Sequence, residues 1–135
     1  MILRQILAVL LLSTVILREC NATEFDEVAR VLSPDGLVDA VLTRGNYGAT
    51  VDYVYRVHLV RAGGATTPDD AVVVADHVVE PAISWVHPKF LTFSYQEARI
   101  FGFRNFWQSE EVQNSFYIVE IRLKPATDNY SLGTE

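Results

Sequence analysis

The sequence predicts an all-β protein, a single antiparallel β-meander or sandwich domain of about 7–8 strands after an N-terminal signal segment. Three observations predict it. Short segments rich in Val, Ile, Thr and aromatic residues recur along the chain, each bounded by Gly, Pro, Asn or Asp. None sustains an apolar helical period for three turns. The composition, 50% hydrophobic and 11% aromatic, lets the chain bury enough apolar surface to offset its conformational entropy.

Met1 to Arg4 form a short cationic start, Ile6 to Leu17 are apolar apart from Ser13 and Thr14, and Arg18-Glu19 end the run. This is the layout of a secretory signal, and its run of about 12 residues falls short of the ~20 that a spanning helix needs. A buried amphipathic helix would show a polar face, and this run has none. The expected division is therefore 1–22 as a signal peptide or membrane-targeting segment and 23–135 as one β domain, with a frayed tail from about 126. Cys20 is the only cysteine, so no internal disulfide and no thiolate metal cluster can form. Two fates of the N-terminus stay open. Cys20-Asn21-Ala22 sets small residues before a cut at Thr23, whereas Leu17-Arg18-Glu19-Cys20 keeps the Leu and Cys of a bacterial lipoprotein signal but has Arg and Glu where small residues belong. In the second case Cys20 is the lipidation site and the route of membrane attachment.

The net charge is −6, and removing residues 1–22 leaves 9 basic against 16 acidic residues. A net acidic domain argues against nucleic acid or an anionic membrane surface as its main partner.

Within the domain, Glu27 to Leu32 and Leu37 to Thr43 flank Ser33-Pro34-Asp35-Gly36, which reads as a β-hairpin with Pro fixing φ and Gly admitting a positive one. After the Gly45 to Thr50 loop, Val51 to Arg61 is the longest strand. It sets Tyr53, Tyr55, Val57 and Leu59 on one face, and Asp52, Arg56 and His58 on the other. Ala62 to Asp70 is a loop of small and polar residues, expected to be exposed. Ala71 to Ala75 is a short apolar strand that Asp76-His77 ends. Ile83 to Val86 and Phe90 to Tyr95 form a second hairpin about His87-Pro88-Lys89, with Trp85 expected in the core. Residues 96–107 read as one aromatic strand. Ser115 to Lys124 closes the domain with Tyr117, Val119, Ile121 and Leu123 facing inward.

The Ser33 to Gly36 turn, the Gly48-Ala49-Thr50 loop and Trp85-Val86-His87-Pro88-Lys89-Phe90-Leu91 together resemble a group of small bacterial envelope proteins of uncharacterised function. The resemblance covers residues 27–95. It implies export and a β-fold, and it brings no catalytic residues with it.

Reactive constellations are sparse. His58, His77 and His87 are scattered, without the His-x3-His or Cys-x2-Cys spacing that makes a metal site local. Asp76-His77 raises the idea of a hydrolytic triad, yet no Gly-x-Ser-x-Gly elbow accompanies it, and adjacent strand residues point to opposite faces. No catalytic, cofactor-binding or metal-binding residue is therefore assigned. Arg99, Arg104 and Trp107 are the candidate recognition surface, since guanidinium groups interleave there with Phe101, Phe103 and Phe106. The alternative is that Phe101, Phe103 and Trp107 are core. Asn21-Ala-Thr and Asn129-Tyr-Ser match glycosylation sequons. The expected function is a binding or accessory module of the cell envelope, periplasmic or extracellular, whose partner is an envelope protein or ligand. A small hydrolase and a self-associating structural protein are the alternatives.

Overall fold

Turn chemistry builds the first hairpin as the sequence predicts. In the computed structural model, which describes residues 25–126, β1 (Phe25–Leu32) pairs antiparallel with β2 (Val38–Gly45). Gly36 takes φ 76° in the turn between them. Ser33 Oγ donates to Asp35 Oδ1 at 2.6 Å and accepts from the Val38 N–H at 3.1 Å, so the turn satisfies its own polar groups. The signal segment with Cys20, both sequons and the tail beyond Ala126 lie outside the described residues.

The meander continues through β3 (Val54–Arg61) and β4 (Ala71–Val79), and β7 (Glu97–Phe103) adds to β4, giving a five-stranded antiparallel sheet in the order β1-β2-β3-β4-β7. The second sheet has four strands in the order β5-β6-β9-β8, from β5 (Ala82–His87), β6 (Phe90–Tyr95), β8 (Phe106–Trp107) and β9 (Val119–Pro125). Leu42, Val57, Leu59 and Val73 of the first sheet meet Leu91, Phe93, Val119 and Ile121 of the second in one buried cluster. The molecule is a two-sheet sandwich.

Four expectations about strands need correction. The longest strand is β4, not Val51 to Arg61, of which only Val54–Arg61 is strand. The segment 96–107 is not one strand: β7 ends at Phe103, and Arg104-Asn105 hand the chain to β8 in the other sheet, which makes nine strands among the described residues. Pairing is not purely antiparallel, because β6 and β9 run parallel from Phe90↔Glu120 to Tyr95↔Pro125. A parallel pair needs a long crossover, and residues 96–118 supply it by way of β7 and β8. Finally, β4 does not stop at Asp76-His77 but bulges there and continues to Val79.

His58 is a further correction. The alternation placed it on a wet face, and it is buried, at 2% exposure, with Nε2 3.1 Å from Thr43 Oγ1. Among the described residues no secondary-structure element covers the outer face of β2 and β3; long side chains and a loop lie on it. Arg30 donates to Asp39 Oδ2 at 2.9 Å and to the Gly64 carbonyl, while the Gly63 N–H donates to the same Asp39 oxygen. Arg56 lies over the Phe25 ring, 4.5 Å from its centroid, and donates to Tyr47 Oη at 2.9 Å. Side chains that span the sheet in this way bury Asp39, Val41, Thr43 and His58, so β2 loses the alternation of a half-wet strand.

Tyr117 ties the two hairpin turns together. Its hydroxyl donates to Asp35 Oδ2 in the first turn and lies 3.0 Å from the Pro88 carbonyl oxygen in the second. Burial and then the adjacent Asp35 carboxylate push the phenol up to about 12. For Asp35, burial acts to raise the pKa, but hydrogen bonds from Ser33, Tyr117 and the Leu37 N–H outweigh it and hold the carboxyl below its ordinary value.

Candidate functional site

The end of the sandwich that carries these turns also carries a groove of about 830 Å³, within the 300–1,000 Å³ typical of ligand sites. One wall comes from the β3–β4 connection. There Gly63 takes φ 76°, and Pro68–Asp70 make a single 3₁₀ turn in which Thr67 Oγ1 donates to Asp70. The other wall comes from the handover between sheets. The Arg104 N–H donates to the Val72 carbonyl at 2.8 Å, and the Asn105 carbonyl accepts from Ile121 at 2.9 Å. Two consecutive bonds to different sheets hold this corner. They place Arg104 and Phe106 on the groove, beside Trp107, whose pairing with Val119 fixes it there. Arg61 Nε reaches Glu111 at 3.3 Å from wall to wall, both side chains being largely exposed.

The segment after Trp107 is anchored on Ser109. Its carbonyl accepts from the Val112 and Ser115 N–H groups at 3.1 and 2.9 Å, and its Oγ accepts from the Glu111 N–H. Gln113, Asn114 and Ser115 take φ 49°, 49° and 67° in succession. Left-handed backbone costs a non-glycine residue about 1–2 kcal/mol, so three in a row are held only because their surroundings dictate it.

At the opposite end lies a charged cluster. Arg99 Nε donates to Asp76 Oδ1 at 2.7 Å, with a second bond from Nη2 to Oδ2. His77 Nδ1 is 3.0 Å from Asp76 Oδ1, and its Nε2 is 2.8 Å from Asp52 Oδ2. Hydrogen bonds from Arg99 first, then from His77, hold the Asp76 carboxyl down to about 2 against the cost of burial. His77 sits at φ 52° in the β4 bulge. That twist brings the histidine onto the side of its chain neighbour Asp76, which regular strand alternation forbids. Carboxylates therefore face both ring nitrogens. The arrangement clamps an imidazole and leaves neither nitrogen open to a nucleophile, and the adjoining pocket, lined by Asp52, Tyr53, Tyr55 and His77, holds only about 280 Å³.

The predicted recognition residues thus separate. Arg104 and Trp107 share the groove, while Arg99 belongs to the charged cluster five residues back along β7, roughly 17 Å away at the rise of an extended strand. Trp107 is core and groove floor at once, 8% exposed. Phe101 and Phe103, weighed as core, are 60% and 43% exposed, and Phe106 is 53% exposed, because β7 and β8 are terminal strands with nothing packed beyond them among the described residues. Sequence reasoning missed Arg61, Asp70 and Glu111 as groove residues. Only a pairing of the 62–70 loop with the 108–116 segment could have found them, and no local signal encodes it.

The displaced ionisable groups share one direction. Burial, then Arg56, push His58 down to about 4, with Asp70 acting the other way. Arg30 holds Glu27 low, and Asp76 holds Arg99 high. With Asp35, Asp76 and Tyr117, each moves away from neutral pH, toward a fixed charge state and away from a transferable proton. No family model, no curated protein and no solved structure matches this chain.

Proposed function

We propose that the chain is an exported binding or accessory module of the cell envelope, taking its ligand in the groove between the 62–70 loop and the 104–111 segment. The observation that carries this reading is the groove itself: a half-exposed Phe106 beside Trp107, with Arg104 in no ion pair among the described residues. A ring already in water and an uncommitted guanidinium are groups that gain on meeting a ligand. The groups whose pKa is displaced, His58 and Asp76 among them, move away from neutrality, which favours binding over general acid–base work. Export rests on the layout of residues 1–22, and attachment through Cys20 remains part of the proposal. The self-association alternative draws on the outer edge of β7, which is unpaired among the described residues. That edge bulges at Phe101, between the Val74↔Gly102 and Ala75↔Ile100 pairs, and a bulge works against edge-to-edge pairing.

The test is capture from envelope fractions of the native host by the full chain, run beside its Arg104→Ala and Phe106→Ala variants. A species retained by the wild type and depleted about tenfold by both variants supports the reading; equal retention by all three overturns it. Intact mass and N-terminal sequence from the same host, with a Cys20→Ser control, distinguish cleavage before Thr23 from lipidation at Cys20. A full-length, unprocessed chain in the cytosol defeats export.

A further inference from the structure

We infer that the groove takes a neutral, hydroxyl-rich ligand of the carbohydrate class, with a sugar ring laid against Phe106. The inference rests on the reading of this groove as the binding site and names what it binds. Its charges nearly balance: Arg61 and Arg104 stand against Asp70, Glu110 and Glu111. A phosphate or nucleotide would meet three carboxylates, and a cationic ligand would meet two guanidinium groups. An apolar ligand would strip water from those same groups and give nothing back. A hydroxyl suits both kinds, since each one donates to a carboxylate and accepts from a guanidinium. The aromatic wall adds the second half of the match. The negative face of an exposed phenyl ring attracts the polarised C–H face of a sugar, which is the apolar side of an otherwise polar molecule. An extended peptide would look for a strand edge to continue. Of the strands on the groove, β8 is only two residues long and offers almost no ladder, and Leu59 to Arg61 of β3 already pair with β2.

The groove can also give way to such a ligand. The Arg61–Glu111 pair across its mouth is solvent-exposed on both sides, so it holds the walls weakly, and its members can exchange one another for hydroxyl groups.

The chain contains two tryptophans, one on the groove and one on the far flank, so the indole N–H resonances of the ¹⁵N-labelled full chain provide a reporter and an internal control. The probes are cellopentaose, maltopentaose, laminaripentaose and chitopentaose, with tripolyphosphate and pentalysine as the anionic and cationic arms. The expected result is a saturable shift of the Trp107 resonance with at least one oligosaccharide, while Trp85 stays still. Phe106→Ala should weaken that binding about tenfold, Phe106→Tyr should restore it, and Phe101→Ser should leave it unchanged. Phe106 is more than half exposed, so its truncation leaves the fold standing. Silence toward all four sugars at millimolar concentration, tighter binding of tripolyphosphate or pentalysine, or indifference to Phe106→Ala each overturns the assignment. If the sugars fail while capture from envelope fractions still depends on Arg104 and Phe106, only the ligand class falls; if both fail, the groove is not the binding site.

Discussion

The sandwich has two flanks: on one the terminal strands β1 and β5 pack together, and on the other β7 and β8 meet at the chain corner between them. On the β1/β5 flank the Trp85 Nε1–H donates to the Val31 carbonyl at 2.9 Å, one sheet bonding directly to the other. Arg30 reinforces that side by joining Glu27, Asp39 and the Gly64 carbonyl. On the β7/β8 flank the sheets are joined by the chain itself at Arg104-Asn105, and Phe101, Phe103 and Phe106 remain in solvent. Aromatic residues occur on both flanks, so composition does not explain the difference. The first uses its indole as a bolt, whereas the second leaves its rings unspent, and rings already facing water are what a contact surface needs.

The largest expected effect falls on Trp107, the buried aromatic of β8. Trp107→Ala removes a residue that packs with Tyr117, Val119 and Ile121 in the core cluster, so it should cost about 3–5 kcal/mol in urea unfolding. A loss under about 1 kcal/mol would show that the whole flank is peripheral, and the contrast with its buried floor would collapse.

Acid should act on the middle of the first sheet before it reaches the open flank. The folded-state pKa of His58, about 4, lies below the ordinary 6.5, so the unfolded chain binds the proton more readily. The stability it contributes is present above pH 6.5 and is lost as pH falls toward 4, at most about 3 kcal/mol. For Asp76 the window is lower: its contribution is present above the ordinary 3.8 and disappears as pH falls through about 2. Since Asp76 binds Arg99, that second step should loosen β7 from β4. Urea midpoints from pH 7 to pH 2 should show both windows, with His58→Gln abolishing the upper and Arg99→Ala the lower. A single acid step insensitive to either substitution would refute the assignment.

Trp85→Ala tests the bolt. A half-buried indole with one hydrogen bond should cost about 2 kcal/mol, and Trp85→Phe about 1, since the phenyl ring keeps the packing and loses only the bond to Val31. The sequence marked Trp85 as core because it sits mid-strand beside a tight turn. That reading could not see that β5 would be a terminal strand. The same boundary separates what was legible from what was not. Both hairpins could be read, because Ser33 to Gly36 and His87 to Lys89 encode their turns within a few residues. The wet and dry faces of β9 could be read too, since only one side of it is covered. The parallel β6–β9 pair, the burial of His58, and the exposure of Phe101 and Phe103 depend on which segments become neighbours across tens of residues, and hydrophobic alternation alone carries no record of that. For the candidate groove, residue type was the guide: Arg104 and Trp107 were singled out because guanidinium groups interleave there with a run of aromatics, and both line the groove. Arg99 was grouped with them because a single strand was assumed where the chain changes sheets.

The smallest expected effect is the most pointed test of the two flanks. Phe101 is 60% exposed and sits at the bulge of a terminal strand, so it has little packing to lose. Phe101→Ser should change unfolding free energy by less than about 0.5 kcal/mol, the range for surface positions without special contacts. The serine removes apolar area from the flank, so any concentration dependence of the sedimentation coefficient that the wild type shows should fall in the variant. Binding in the groove should not respond, because Phe101 lies outside it. A stability loss above about 1 kcal/mol would mean that the ring is packed after all. The open flank would then be closed by its phenylalanines as the other is by Trp85, and the case for a contact surface there would rest on Phe106 alone.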